Sequence, residues 1–461
     1  MALAGAVLTT SSAITLIGFW LFDIVVGGTI HPYVGLIFFL VLPGIFVIGL
    51  LLMPIGALWR QLALARSGQL PLEYPKVDLS RPEVRHLLGW IAGLTVANVI
   101  ILSTASYRGV EYMDSARFCG ATCHTVMQPE FTAYENSPHQ RVACVQCHIG
   151  PGASWFVRSK LSGLRQVYAV TFHTYDRPIP SPVQQLRPAR QTCEQCHWPQ
   201  MFTGNKLVVI RKFSEDEKNS ELTTVLLLKI GGHTWSGAVG IHGIHLDTNS
   251  PVEYVSTDRQ RQNIVQVVRA DETGKQVVYT STDANPTPAQ LAAGEHRTMD
   301  CIDCHNRPTH IFQMPDRALD DAMAQGRVSP DLPFIKKQAL ALLQASYPDR
   351  DTATRQIAAG LDDFYRKSYP DVYRDQHALL ETSIGQVQAI YLRNVFPAMN
   401  VTWGTYPNNL GHMDFPGCFR CHDGSHTSAD GRTIPNDCDT CHTMLAVEEQ
   451  NPKVLAGLGV K

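Results

Sequence analysis

Residues 301–310 read C-I-D-C-H-N-R-P-T-H, two cysteines with a histidine, His305, directly after the second. The same C-x-x-C-H form recurs at Cys144/Cys147-His148, Cys193/Cys196-His197, Cys418/Cys421-His422 and Cys438/Cys441-His442. Cys119/Cys123-His124 has it with one more residue between the cysteines. Together these pairs use all 12 cysteines, so none is left over for a disulfide. In 461 residues with 12 cysteines and 18 histidines, chance supplies about 0.01 C-x-x-C-H matches, against five present.

Covalent haem attachment needs this pattern. Two cysteines bond the porphyrin vinyl groups as thioethers, and the adjacent histidine is placed beneath the iron as an axial ligand. Zinc uses two cysteine pairs for one metal and does not require a histidine abutting each pair. The expectation is therefore six haem c groups. They are attached through Cys119, Cys123, Cys144, Cys147, Cys193, Cys196, Cys301, Cys304, Cys418, Cys421, Cys438 and Cys441, with His124, His148, His197, His305, His422 and His442 as iron ligands. The longer spacer at Cys119–Cys123 still allows attachment through a bulged turn.

An electron carrier fills its second axial position as well. His31 and His86 fall in the apolar N-terminal part, which leaves ten histidines for that task. His139 lies just before Cys144, His412 before Cys418, His310 after His305 and His426 after His422. His242 and His245 sit in a G-I-H-G-I-H run able to wrap a haem edge. These six are the candidate distal ligands. Met127, three residues after His124, is a candidate ligand of the first haem or a core residue.

Residues 1–59 contain no Lys or Arg, which speaks against a cleaved signal peptide with a positive start. Three apolar stretches of spanning length are expected instead, from about Leu8 to Val26, Val34 to Trp59 and His86 to Ser106. Arg60, Arg66, Lys76, Arg81 and Arg85 put residues 60–85 on the cytoplasmic side. All six motifs then follow the third span on the outer, periplasmic side of the cytoplasmic membrane. The formal net charge of -2 and the lack of a Lys/Arg block give no nucleic-acid surface.

The fold class is mixed: three transmembrane helices, then an extracytoplasmic multihaem domain with little regular structure, a small β-rich insertion and a helical segment. The expected divisions are a two-span hairpin (1–59), a cytoplasmic loop (60–85), the third anchor (86–106), haems 1–3 (107–204), the β-rich insertion (205–295), haem 4 (296–315), the helical segment (316–407) and a two-haem C-terminal segment (408–461). Runs rich in Val, Ile, Thr and Tyr at Lys206–Lys212, Leu222–Ile230, Val252–Ser256, Asn263–Arg269 and Lys275–Ser281 carry the strand assignment. Helical periodicity marks Phe334–Tyr347, Ala353–Tyr369 and Ala378–Val395.

Residues 86–200 and 296–312 resemble the NapC/NirT/NrfH family of membrane-anchored tetrahaem quinol dehydrogenases. The matching features are a helix leading into Cys119, Cys123, His124 and Met127, His139 in S-P-H-Q, the basic stretch Trp155–Val167, and the fourth motif with His310. The resemblance implies that a membrane quinol gives up electrons near the first haem, with Lys160, Arg165 and Gln166 as candidate contacts. Cationic side chains there would stabilise the charge that develops on oxidation. The same two cations could instead anchor the domain to lipid headgroups or pair with haem propionates. Gln166 stands where the family carries an acid. The two extra spans, the insertion and the last two motifs have no counterpart in small family members.

The leading expectation is an oxidoreductase subunit that takes electrons from membrane quinol and hands them to a periplasmic or complex-bound redox partner. One alternative is an electron-wiring subunit of a larger respiratory complex, with no quinone chemistry of its own. A third is a terminal reductase with a catalytic haem, which would need an iron with an open position.

Overall fold

The computed structural model describes residues 1–26, 34, 37–69, 78–150, 152–183, 186–198, 201–234 and 237–459. His31 and much of the loops at 27–36 and 70–77 lie outside the described residues. The chain divides into two compact units, Met1–His124 and Thr125–Lys461.

The first unit is built on helices α1 (Ala2–Val26), α2 (Leu42–Arg66, entered through a π-turn at Ile37–Val41) and α3 (Pro82–Asp114). Each is long and apolar enough to cross a membrane. The 33-residue α3 runs about 50 Å, longer than a hydrocarbon core, so its ends extend beyond the apolar layer. Helices α1 and α2 pack closely because small residues face each other. A Cβ on Gly5 would lie 2.7 Å from the Gly49 carbonyl oxygen, and one on Gly56 would lie 2.4 Å from the Ala2 nitrogen. Such small-residue contacts are how helices associate where no hydrophobic force separates helix from lipid. Helix α4 (Ala116–Ala121), capped by the Ser115 hydroxyl, carries Cys119.

The second unit begins within α5 (His124–Glu135) and continues through α6 (Cys144–His148), α7 (Ala153–Thr171) and α8 (Ala189–Cys193). Next come strands β1 (Lys206–Phe213), β2 (Glu221–Leu228), β3 (Gly232–Thr234) and β4 (Gly237–Val239), helix α9 (Gly240–His245), and strands β5 (Glu253–Ser256), β6 (Ile264–Ala270) and β7 (Gln276–Ser281). They are followed by α10 (Pro288–Ala293), β8 (Glu295–Thr298), α11 (Cys301–Cys304), α12 (Pro315–Ala324), α13 (Ile335–Gln344), α14 (Arg350–Ser368), α15 (Pro370–Asp375) and α16 (His377–Asn394). The chain closes with β9 (His426–Ser428), α17 (Cys438–Cys441), β10 (His442–Glu449) and α18 (Lys453–Gly457).

The expected strands are present, but they do not form a sheet of their own. One sheet has the order β1-β2-β10 and another β8-β5-β6-β7-β9, so the C-terminal motif segment supplies a strand to each. The helical segment has its own dry core, with Leu319, Leu332, Ile335, Leu343, Ile357, Leu361, Leu380 and Val387 fully buried. Around the motifs regular structure is short, as expected of segments whose packing partner is not protein.

Candidate functional site

Each C-x-x-C spacer in the second unit coils into a short helical turn, as at α6, α11, α17 and the 3-10 turn Gly417–Arg420. Residues three apart on a helical turn share a face, so both thiols of a pair point the same way. Residues four apart do so as well, which is why the longer Cys119–Cys123 spacer, starting in α4, keeps the relation.

Among the described side chains, five motif histidines face a second histidine. Ring centroids are 6.2 Å apart for His148 and His310, 6.0 Å for His197 and His139, and 6.4 Å for His305 and His242. They are 5.9 Å apart for His422 and His245, and 6.2 Å for His442 and His412. An iron held between two imidazoles requires about 6 Å, from two metal–nitrogen bonds of about 2 Å and about 1 Å from each nitrogen to its ring centre. The residues present therefore fit haem iron at all five places.

Several rings are also held in the tautomer a metal needs. Nδ1–H donates to a backbone carbonyl in His310 (Glu130, 2.9 Å), His245 (Ile241, 2.8 Å), His422 (Pro435, 2.6 Å) and His139 (Pro308, 3.2 Å). A carbonyl can only accept, so Nε2 is left bare in each neutral ring. Burial pushes His148, His242, His245, His305 and His310 below the usual imidazole range, which keeps them neutral. Nδ1 of His242 and Nδ1 of His442 are buried with no protein partner.

The motifs of the second unit form a row in chain order. Helix α6 packs on α8, and α8 on α11. Cys193 neighbours Cys301, Cys304 neighbours Cys418, and Cys418 neighbours Cys441. Helix α9 bridges two motifs, since His242 faces His305 while His245, one turn on, faces His422. Its start needs glycine. Gly240 has φ +67°, and a Cβ there would lie 2.7 Å from the Cα of Gly231.

His426 is placed differently from the expectation. It lies on β9, 1% exposed, with Nε2 3.1 Å from the Ile264 carbonyl oxygen and Nδ1 3.1 Å from Asp423 Oδ1. Both nitrogens face acceptors within the protein, and among the described residues the ring faces no motif histidine. Sequence proximity to His422 was the signal, and strand pairing overrides it.

Met127 lies three residues after His124 along helix α5. The His124 ring lies outside the described side chains.

Lys160, Arg165 and Gln166 all belong to α7 but do not converge. At about 100° per residue, Lys160 and Arg165 point about 140° apart, and Gln166 about 100° beyond Arg165.

Two supporting residues, Arg307 and Arg420, carry no local sequence signal. Arg307 Nη2 donates to both carboxylate oxygens of Glu130 (3.0 and 2.9 Å), its Nε donates to the His310 carbonyl (2.6 Å), and its guanidinium covers the Tyr406 ring at 4.2 Å. Arg420, inside the Cys418/Cys421 spacer, donates from Nη2 to the carbonyl of Asp303 (2.6 Å), inside the Cys301/Cys304 spacer. It also donates to the carbonyls of Gly417 (2.8 Å) and Arg261 (2.7 Å). Two neighbouring motifs are thus clipped spacer to spacer, a contact that no local pattern announces.

Comparison with known proteins agrees with this geometry. The N-terminal region of the NapC/NirT cytochrome c family matches residues 81–179. The cytochrome c-type protein ImcH of Geobacter sulfurreducens is 44% identical over 428 residues, covering 92% of this chain and 83% of that protein. The chain belongs to the NapC/NirT family of membrane c-type cytochromes. The cytochrome c-type protein NrfH of Wolinella succinogenes is 27% identical over 93 residues, 20% of this chain and 52% of that protein. TorC of Escherichia coli is 26% identical over 134 residues, 28% of this chain and 33% of that protein. No solved structure matches. Family membership brings covalently bound haem c and electron transport in a membrane-anchored protein.

Proposed function

We propose that this NapC/NirT-family chain carries six haem c groups and passes electrons from membrane quinol to a redox partner on the periplasmic side of the cytoplasmic membrane. The observation that carries the reading is the set of five facing histidine pairs: His148/His310, His197/His139, His305/His242, His422/His245 and His442/His412. Haem c, when bound, supplies a one-electron carrier at each motif.

The chain's own residues make each place suited to electron transfer. Two facing imidazoles would hold the iron at each of these five motifs and leave substrate no open position there, which disfavours the terminal-reductase reading. Backbone carbonyls fix the rings of His139, His245, His310 and His422, so little rearrangement is needed there when the charge at the site changes. The row of motifs, from Cys144 through Cys441, gives a continuous route across the second unit. Met127 or His124 serves the first haem.

The basic loop at 60–85 supports the outward placement of everything after α3. Lys160 is the residue the family resemblance assigns to quinol. Arg165 and Gln166 point elsewhere on α7, so Lys160 is the first to test. A wiring subunit that takes electrons from a membrane neighbour is the second reading, favoured by the two additional spans α1 and α2.

The test has two steps. A pyridine haemochrome assay on protein matured with the cytochrome c machinery should give six haems per chain, and five would point to the Cys119/Cys123 motif. A menaquinol analogue should then reduce the purified protein in nanodiscs. Full haem content without that reduction would favour the wiring reading.

A further inference from the structure

Helix α7 presents its apolar side to solvent. Val157, Leu161, Leu164, Tyr168 and the following Phe172 are between 56% and 70% exposed. At about 100° per residue these five fall within one narrow stripe. The half-buried residues Ser159, Gly163 and Val170 lie on the opposite side, and Val170 packs against the core formed by Phe312, Phe396 and Tyr406. The protein has thus turned the small residues inward and the large apolar ones outward. A globular helix does the reverse.

The charges complete the pattern. Arg158 and Arg165 edge the stripe on one side and Lys160 on the other, and the helix contains no Asp or Glu. Two of these cations lie over aromatic rings, Arg158 over Trp155 at 5.1 Å and Lys160 over Phe156 at 4.7 Å. An apolar centre with basic margins and aromatic rings at the boundary is the composition of a helix lying in a lipid interface. The chain itself provides three helices long enough to cross a membrane, so this unit is tethered to a bilayer. An apolar stripe of five large side chains, exposed in water, is otherwise an aggregation hazard.

We propose that α7 lies in the plane of the membrane interface, with Val157, Leu161, Leu164, Tyr168 and Phe172 in the acyl boundary and Arg158, Lys160 and Arg165 among anionic headgroups. The helix is a second membrane contact, separate from the spans. It gives the haem-bearing unit one orientation on the bilayer, where a single flexible tether would leave many.

Full-length protein in nanodiscs containing phosphatidylglycerol and a diazirine phospholipid tests this by photolabelling and peptide mass spectrometry. Labels are expected on 157–172 and on the spans α1–α3, with α14 (Arg350–Ser368) clean as the exposed control. Labelled spans with α7 clean would overturn the proposal. The double variant Leu161→Gln/Leu164→Gln should lose the α7 labels while keeping its haem content and its span labels. Unchanged α7 labelling in that variant would also overturn it. An all-phosphatidylcholine disc should lower the α7 yield several-fold through loss of charge attraction, and an equal yield would refute the headgroup role. Haem content read in the same sample separates failure here from failure of the functional reading.

Discussion

The rings of His148 and His310 stand 6.2 Å apart, and the second is held from behind by Glu130 and Arg307. Replacing His310 by Ala should therefore leave the haem count unchanged but turn one haem high-spin, visible in electron paramagnetic resonance. An unchanged low-spin set would break this pairing. His426→Ala is the matching control. It removes a buried ring with two acceptors, Ile264 O and Asp423 Oδ1, and should cost about 1–3 kcal/mol of stability with no change in spin state. The two histidines stand at similar offsets after a motif, five and four residues, so local spacing cannot tell them apart. What separates them is a third party, since Glu130 comes from α5 and Ile264 from β6, both remote in sequence.

At the scale of elements, a buried ion pair within the helical segment also helps hold it to the sheet. Lys336 Nζ on α13 lies 2.5 Å from Asp320 Oδ1 on α12, and the same Asp320 oxygen accepts the Phe213 amide of β1 at 3.0 Å. Burial pushes the Asp320 carboxyl up, while the Lys336 ammonium and the Phe213 amide hold it down. Lys336→Met would leave an uncompensated buried carboxylate, so a loss of about 3–5 kcal/mol is expected, read as a lower thermal midpoint by far-ultraviolet circular dichroism. Helices α13, α14 and α16 fall within the periodic runs Phe334–Tyr347, Ala353–Tyr369 and Ala378–Val395 to within a few residues. Their 3.6-residue pattern is a local property and survives folding unchanged. The Lys336–Asp320 pair was not legible, because a lysine in a helical run reads as solvated until its neighbours are known.

At the scale of the molecule, the last two motifs are not an appendage. Strand β10 closes the sheet on β2, β9 closes the other on β7, and Arg420 and Asn409 both donate to the Asp303 carbonyl of the fourth motif. Truncation before residue 408 should therefore disturb the fourth haem too. A product with fewer than four haems, or none that accumulates, is expected from haem staining of membranes. A stable four-haem product would show the C-terminal segment to be an independent module.

The positions of the cysteine pairs with their abutting histidines, the three apolar spans and the helical runs were set by the sequence alone. Each depends on residues within one or two turns of one another, where bond geometry and burial periodicity leave little choice. Tertiary structure alone decided which histidine faces which. It joined His139 to the third motif and not the second, sent His310 back to the second, and withdrew His426 into a strand. Those pairings bring together side chains far apart in the chain, and only packing and strand register, which act over the whole unit, can select among them.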